Sequence, residues 1–251
     1  MDITQTFYDD MASSYDKLFL DWDATTKEQA VILDKIFKQN GFDTGASILD
    51  CACGIGTQAV GLAGLGYRVT ASDISDNELE EGRARARRHG VDVHFEHADF
   101  CALADTFSEQ FDIVIAMDNA LPHMLTAADL KKAVESITSR VTKGGLCVAS
   151  IRDYDALLNE KPPYSPPYIH KTDEGKRVSF QTWVWSGDNY RLTQYIIDDE
   201  KTLQVSKFEC EYRATRREEL TKLLRDSGCS EVLWKFPDET GIYQPIVVAV
   251  K

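Results

Sequence analysis

The stretch ILDCACGIGTQAVGLAGLG, residues 48–66, limits the possible folds more than any other. A short apolar run, suited to a buried strand, ends in Asp50; glycines follow at 54 and 56, and then a helical pattern stops at Gly66. Strand, glycine turn and helix make one unit that has to pack against others like it. The others are present. RVTASD (68–73) reads as a strand and SDNELEEGRARARRHG (75–90) as a helix, with Ser75 and Glu78 at capping-box spacing. VDVHFEHAD (91–99) and FDIVIAMD (111–118) are strands. TAADLKKAVESITSRVTKGG (126–145) is a helix starting at Thr126 and Asp129, and LCVASI (146–151) is a further strand. The alternation predicts an α/β fold around a doubly wound, mostly parallel sheet.

The flanks differ from this rhythm. TTKEQAVILDKIFKQNG (25–41) predicts an amphipathic helix capped by Thr25 and Glu28 and stopped at Gly41. Between 177 and 212, RVSFQTWVW, YRLTQYIID and LQVSKFECEY alternate apolar and polar residues, with SGDN as a hairpin turn. That period of two predicts an antiparallel sheet with one wet face. TRREELTKLLRDSG (215–228) predicts a helix capped at Thr215 and Glu218, and SEVLWKF and PIVVAVK two closing strands. The division expected is an N-terminal helical lid (1–45), a ligand-binding core (46–152), an antiparallel cap (153–213) and a C-terminal return to the core (214–251). A proline cluster, KPPYSPPY, occupies 161–168.

A net charge of −13 argues against nucleic acid or an anionic membrane surface as the main partner. The N-terminal residues lack the basic start and apolar run of a signal peptide, and no stretch approaches the ~18 apolar residues of a membrane span. Six cysteines without a secretion signal read as reduced thiols of a cytoplasmic protein. The run Arg83, Arg85, Arg87, Arg88 sits on a glutamate-rich helix and reads as a solvated face.

A metal, a phosphate, a dinucleotide and a sulfonium nucleoside all use such glycine turns. Cys51 and Cys53 lack zinc-ligand spacing, and the histidines at 89, 94, 97, 123 and 170 are scattered, so no metal is expected. Asp50 closes the first strand, where its charge would repel a pyrophosphate and suit an ammonium. Asp73 ends the second strand, placed to accept both hydroxyls of a ribose, and Asp99 ends the third, within reach of an adenine amino group. Three strand-end acids favour S-adenosyl-L-methionine, a cation without phosphates. Each acid taken alone also reads as a helix-capping loop carboxylate. A nicotinamide-dependent oxidoreductase and a non-catalytic S-adenosylmethionine-binding protein remain alternatives from other classes.

ILDCACGIGTQAVGLAGLGYRVTASDIS resembles the first two motifs of class I S-adenosylmethionine-dependent methyltransferases. FDIVIAMDNALPHML is similar to the fourth-strand motif of the glycine N-methyltransferase and glycine/sarcosine methyltransferase family, and ASIRDYDALL to its fifth strand. The resemblance implies a seven-stranded Rossmann-like sheet with an antiparallel cap and transfer of a methyl group to a small molecule, most simply an amine such as an amino acid. An O-methyl transfer to a sugar or natural product is the rival. A homo-oligomer is compatible with the family.

Carried over residue by residue, the resemblance gives Asp73 the ribose, Asp99 the adenine and the Gly54–Gly56 turn the methionine portion. Asp50, Cys51, Ile74, Phe100, Met117, His123 and Trp22 complete the expected cofactor contacts. Asn119, Arg152 and Tyr154 are expected at the acceptor, with Arg152 gripping a carboxylate, and Asp118, Asn119 and His123 at the chemistry. Asp118 stands where relatives carry glycine and Asp153 where they carry asparagine, which favours an acceptor with an additional amine or hydroxyl groups. A proton-accepting role for Asp118 or His123 stands beside plainer readings, a helix-capping Asp and a packed His. The aromatic residues Tyr8, Tyr15, Phe19, Trp22, Tyr164 and Tyr168 are candidates for a lid over a cationic ligand. Trp183 and Trp185 share one face of the cap.

Overall fold

The computed structural model describes residues 3–172, 175–198 and 203–251. Positions 173–174 and 199–202 of the expected cap lie outside the described residues. Five parallel strands form the heart of the larger sheet: β1 (Ser47–Asp50), β2 (Arg68–Asp73), β3 (Val93–His97), β4 (Phe111–Ala116) and β5 (Val141–Ser150). Their order is β3-β2-β1-β4-β5, so the direction of winding reverses between β1 and β4. Helices then leave that point on opposite faces and open a crevice at the carboxyl ends of the strands. Ile48 and Leu49 are wholly buried, as expected for a strand covered on both faces. β11 (Ile246–Val250) joins β5 antiparallel, and β10 (Glu231–Lys235) closes that edge.

α2 (Trp22–Gln39), α3 (Thr57–Gly64) and α4 (Asp76–His89) share one core with β1, β2 and β4. α5 (Ala127–Ser139) and α7 (Arg217–Asp226) pack into the core on the other face. Helix starts follow local hydrogen bonding rather than the capping patterns. Asp21, not Thr25, caps α2: its side chain accepts from Ala24 N at 2.9 Å, while Thr25 donates its hydroxyl to Asp21 O. α7 starts two residues after Thr215, because Asp155 of a neighbouring helix accepts from Arg217 N at 3.2 Å. Ser75 does cap α4, accepting from Glu78 N at 3.1 Å, but the Glu78 carboxyl does not return the bond.

α1 (Ile3–Met11) falls within residues 1–45, where a helical segment was expected, whereas α6 (Tyr154–Glu160) and β6 (Tyr168–Thr172) carry no sequence signal strong enough to predict. β6 joins β7 (Gly175–Ser186), β8 (Asn189–Ile197) and β9 (Val205–Arg213) in an antiparallel sheet of order β6-β7-β8-β9. Gly187, at φ 63°, makes the β7–β8 hairpin turn. The inward residues Trp183, Tyr190, Leu192, Cys210 and Tyr212 are buried in the same core as Leu49 of β1 and Val114 of β4. Val184 and Val205 face outward. The cap is thus part of the main core, with α1 packed against β9.

The basic run is not simply a solvated face. Arg85 is 5% exposed, with its guanidinium 4.7 Å from the Trp22 ring and 3.4 Å from carboxylate oxygens of both Asp16 and Glu81. Among the described residues no helix is long and apolar enough to cross a membrane.

α2 and α3 approach so closely that Gly61 is required: a Cβ there would fall 2.6 Å from Thr26 O and 2.8 Å from the Ala30 Cβ. Gly61→Ala should therefore destabilise the fold by ~1–3 kcal/mol through overpacking, although alanine is the better helix former. Equilibrium urea unfolding decides the sign.

Candidate active site

A cavity of about 570 Å³ opens at the carboxyl ends of the parallel strands. Gly54, Asp73, Ile74, Phe100 and Met117 line it, and Tyr8 and Tyr15 approach from the N-terminal segment. Asp73 is 9% exposed and organises the floor. Its Oδ2 accepts from Gly54 N at 2.9 Å and its Oδ1 from Ser75 N at 3.0 Å. Each oxygen keeps a lone pair for a ligand hydroxyl. Burial raises the pKa of this carboxyl, partly offset by those amides. Asp99 is exposed at the far end, fixed by a 2.8 Å bond from Cys101 N. Cys51 lines the cavity with its thiol directed to Ile115 O.

Three expected cofactor contacts lie elsewhere. Gly56, at φ 85°, starts α3 behind the turn, where a Cβ would press on Val60 at 3.2 Å; its role is packing. Trp22 points away from the cavity, bonding Thr57 and stacking on Arg85. Asp50 is fully buried behind the turn, and neither carboxyl oxygen has a hydrogen-bond partner of normal geometry. Burial, with repulsion from Asp73 and Asp118, pushes its pKa up to about 8 against the pull of the Ala52 and Ala59 amides.

α1 forms the roof. The Tyr8 hydroxyl and His123 Nε2 share a 2.8 Å hydrogen bond, and the His123 ring lies 4.2 Å from that of Tyr212. On the other side, Ser75 donates its hydroxyl to Asp9 at 2.6 Å, and Asn77 bonds the Asp9 carbonyl. Of the aromatic lid candidates, Tyr8 and Tyr15 reach the cavity; Phe19 packs under α2, and Tyr164 and Tyr168 are more than 60% exposed.

Asp118 and Asn119 follow β4 with φ 54° and 72°, conformations held by bonds from their amides to Ser150. Asp118 borders the cavity, accepting from Gln58 at 2.8 Å and from the Tyr243 hydroxyl at 3.1 Å. Burial raises its pKa. Asn119 and Tyr154 are almost wholly buried and do not line the cavity. Asn119 Oδ1 instead accepts from Arg152 N at 3.1 Å and from the Tyr154 hydroxyl at 3.0 Å, so both residues position Arg152 rather than touch a ligand.

Arg152 itself is half-buried beneath the cap and, like Asn119 and Tyr154, stands behind the cavity wall rather than on it. It donates to the Tyr190 hydroxyl at 3.1 Å and to Gln181 Oε1 at 3.0 Å, with Trp183 and Tyr212 rings 5.1 and 5.5 Å away. The nearby acids do not use its charge: Asp153 and Asp155 both pair with Arg217. Sequence reasoning missed Gln58, Tyr243, Gln181 and Glu78. The first three lie where periodicity says nothing about direction, and Glu78 had been assigned to the helix cap.

Residues 48–145 match a family described as a methyltransferase domain. The chain is 27% identical over 154 residues to a glycine/sarcosine N-methyltransferase of Parasynechococcus marenigrum (strain WH8102), covering 61% of this chain and 53% of that protein. It is 25% identical over 214 residues to one of Halorhodospira halochloris, covering 85% and 77%. The chain thus spans about half the length of the first of these relatives. Among solved structures, CalS10 of Micromonospora echinaspora, an amino pentose methyltransferase, aligns with a TM-score of 0.70 at 18% identity, over 90% of this chain and 91% of that one. Residues 48–145 thus match a methyltransferase domain, and the whole chain shares its fold with S-adenosylmethionine-dependent methyltransferases of solved structure.

The cofactor of this class fits the residues of the site. The cavity is bordered by the acids Asp73, Glu78, Asp99, Asp118 and Asp129 and by one lysine, Lys132, with Asp50 behind its floor. That donor set favours a phosphate-free cation with sugar hydroxyls over a pyrophosphate. Asp73→Ala should weaken S-adenosylmethionine binding by ~1.5–3 kcal/mol in calorimetric titration, since a charge-assisted contact is lost. Unchanged affinity in a folded variant would show that the ribose lies elsewhere.

Asp50 also makes stability depend on pH. Its folded pKa is raised, so the folded state holds the proton more tightly than the unfolded chain does. Stability should therefore fall as pH rises from about 4 to about 8. Asp50→Asn should flatten that part of the ligand-free melting profile; an identical slope in both proteins would show that Asp50 is solvated or paired.

Proposed function

We propose that this protein transfers the methyl group of S-adenosylmethionine to the nitrogen of a small amine that also carries a carboxylate. The observation behind this reading is Arg152. Its guanidinium sits at the end of β5 with only tyrosine, glutamine and aromatic faces as side-chain partners among the described residues. A half-buried cation with neutral neighbours is suited to an anion, and its planar fork matches a carboxylate in two parallel hydrogen bonds. The relatives named glycine/sarcosine N-methyltransferases support an amino-acid acceptor. Asp118, a carboxyl on the cavity wall, favours an acceptor larger than glycine with a second amine or hydroxyl.

In the transfer, the carbon–sulfur bond of the sulfonium breaks as the carbon–nitrogen bond forms, leaving a neutral thioether. The methyl is already activated, so alignment of the lone pair and exclusion of water account for much of the ~7–11 kcal/mol that proximity can supply. The amine must shed a proton to react. Asp118, with a pKa raised by burial, is suited to accept it.

A coupled assay of S-adenosylhomocysteine release over amino acids, amines, amino sugars and alcohols tests the reading. Turnover is expected with amines bearing a neighbouring carboxylate. Arg152→Lys, which keeps the charge and loses the fork, should lower kcat/KM for such acceptors more than tenfold, about 1.4 kcal/mol, and leave S-adenosylmethionine affinity within twofold. Turnover confined to alcohols, or a lysine variant at the parent rate, would overturn it.

A further inference from the structure

Glu78 stands apart from the capping role its position predicts. It lies in the first turn of α4, yet its side chain is fully buried and borders the cavity, and neither carboxyl oxygen has a hydrogen-bond partner. The first turn of a helix favours a carboxylate that reaches back to the N-cap amide, but Glu78 leaves that bond unmade. Glycine at 54 makes room for it: a Cβ at that position would fall 2.5 Å from Glu78 Oε2. Gly54 N is held by Asp73 Oδ2 at 2.9 Å, so the two carboxyls flank the same glycine.

A buried, unpartnered carboxyl is costly, and among the described residues none hydrogen-bonds Glu78. Resting on the assignment of this cavity to S-adenosylmethionine, we infer that Glu78 is a second acid of the cofactor site, hydrogen-bonding a hydroxyl of the nucleoside sugar beside Asp73.

The chemistry of the surroundings sets how the bond is made. Burial, and then repulsion from Asp73, raise the pKa of Glu78; Asp9 and Glu81 act in the same direction, against Arg85. Burial and these acids favour the neutral acid, which has one O–H to donate and an oxygen left to accept. Asp73, whose oxygens each already take one backbone N–H, supplies acceptors only. A donor and an acceptor on the two sides of one sugar give each hydroxyl a complementary partner. The contact is to the sugar rather than to the sulfur, so it is made equally with the methylated and demethylated cofactor.

Calorimetric titration of the full chain tests this with S-adenosylmethionine, S-adenosylhomocysteine and the 2′- and 3′-deoxy forms of the latter. Glu78→Ala should weaken S-adenosylmethionine and S-adenosylhomocysteine alike, by about tenfold, and weaken one of the two deoxy ligands by less than twofold. Glu78→Gln, neutral and still able to donate and accept, should stay within about threefold of the parent. Without ligand, Glu78→Gln and Glu78→Met should both melt at or above the parent temperature, because an unpartnered carboxyl is being replaced. The inference fails if Glu78→Ala binds all four ligands as the parent does, or weakens all four equally. It also fails if only S-adenosylmethionine suffers, which would place the acid against the sulfonium, or if Glu78→Met unfolds at a lower temperature, which would reveal a structural partner. A parent protein that binds none of the four would instead remove the cofactor assignment on which the inference rests.

Discussion

Two hydrogen bonds to one carboxylate hold this site together. Asp73 accepts from Gly54 N with one oxygen and from Ser75 N with the other, and so ties the turn after β1 to the turn after β2. Everything around the cavity is attached to that clasp. Ser75 is the N-cap of α4, and its hydroxyl extends the network to Asp9 of α1. The glycine turn leads into α3, whose Gln58 holds Asp118 on the acceptor side. Loss of the Asp73 carboxylate would thus free two loops as well as remove a ligand contact, because backbone amides at these turns have no other partner in a helix or sheet ladder.

The floor and the acceptor side solve different electrostatic problems. Around the glycine turn acids accumulate, so burial and repulsion from Asp73 favour the neutral forms of Asp50 and Glu78, while backbone amides offset the effect of burial at Asp73 itself. Beneath the cap lies the Arg152 guanidinium, held by the Tyr190 hydroxyl and the Gln181 side-chain oxygen. Asn119 links the two regions: it sits in a left-handed turn after β4 and accepts both the Arg152 amide and the Tyr154 hydroxyl. A strained backbone position persists when its surroundings over-determine it, and here two side-chain bonds and the Ser150 carbonyl do so.

The parallel sheet was legible in the sequence because strands buried on both faces must be apolar runs, and Ile48–Leu49, Ile113–Ile115 and Leu146–Ala149 are such runs. The alternating cap was legible for the same kind of reason. Strand ends fall where strands end, so Asp73 and Asp99 were readable as residues of the crevice, whereas Asp50, read in the same way, lies buried behind it. Direction was not readable. Nothing in the local pattern says that Trp22 turns outward to Arg85, that Tyr154 turns inward to Asn119, or that Glu78 leaves its cap for the cavity. A helical N-terminal segment was expected, but the docking of α1 was not readable, because its burial depends on partners far along the chain: Phe7 packs near Phe208, and Tyr8 bonds His123.

That roof has a consequence of its own. A helix of nine residues is not stable alone in water, so α1 is helical because it is docked, and docked through a few contacts at Tyr8, Asp9 and Phe7. Coil-to-helix ordering and closure of the cavity are then a single equilibrium. A molecule bound under α1 is weighed against the ordering of Ile3–Met11, and its measured affinity carries that entropy. Changes at the extreme N-terminus, far in sequence from every acid of the floor, would be felt as changes in how tightly the cavity holds what it contains.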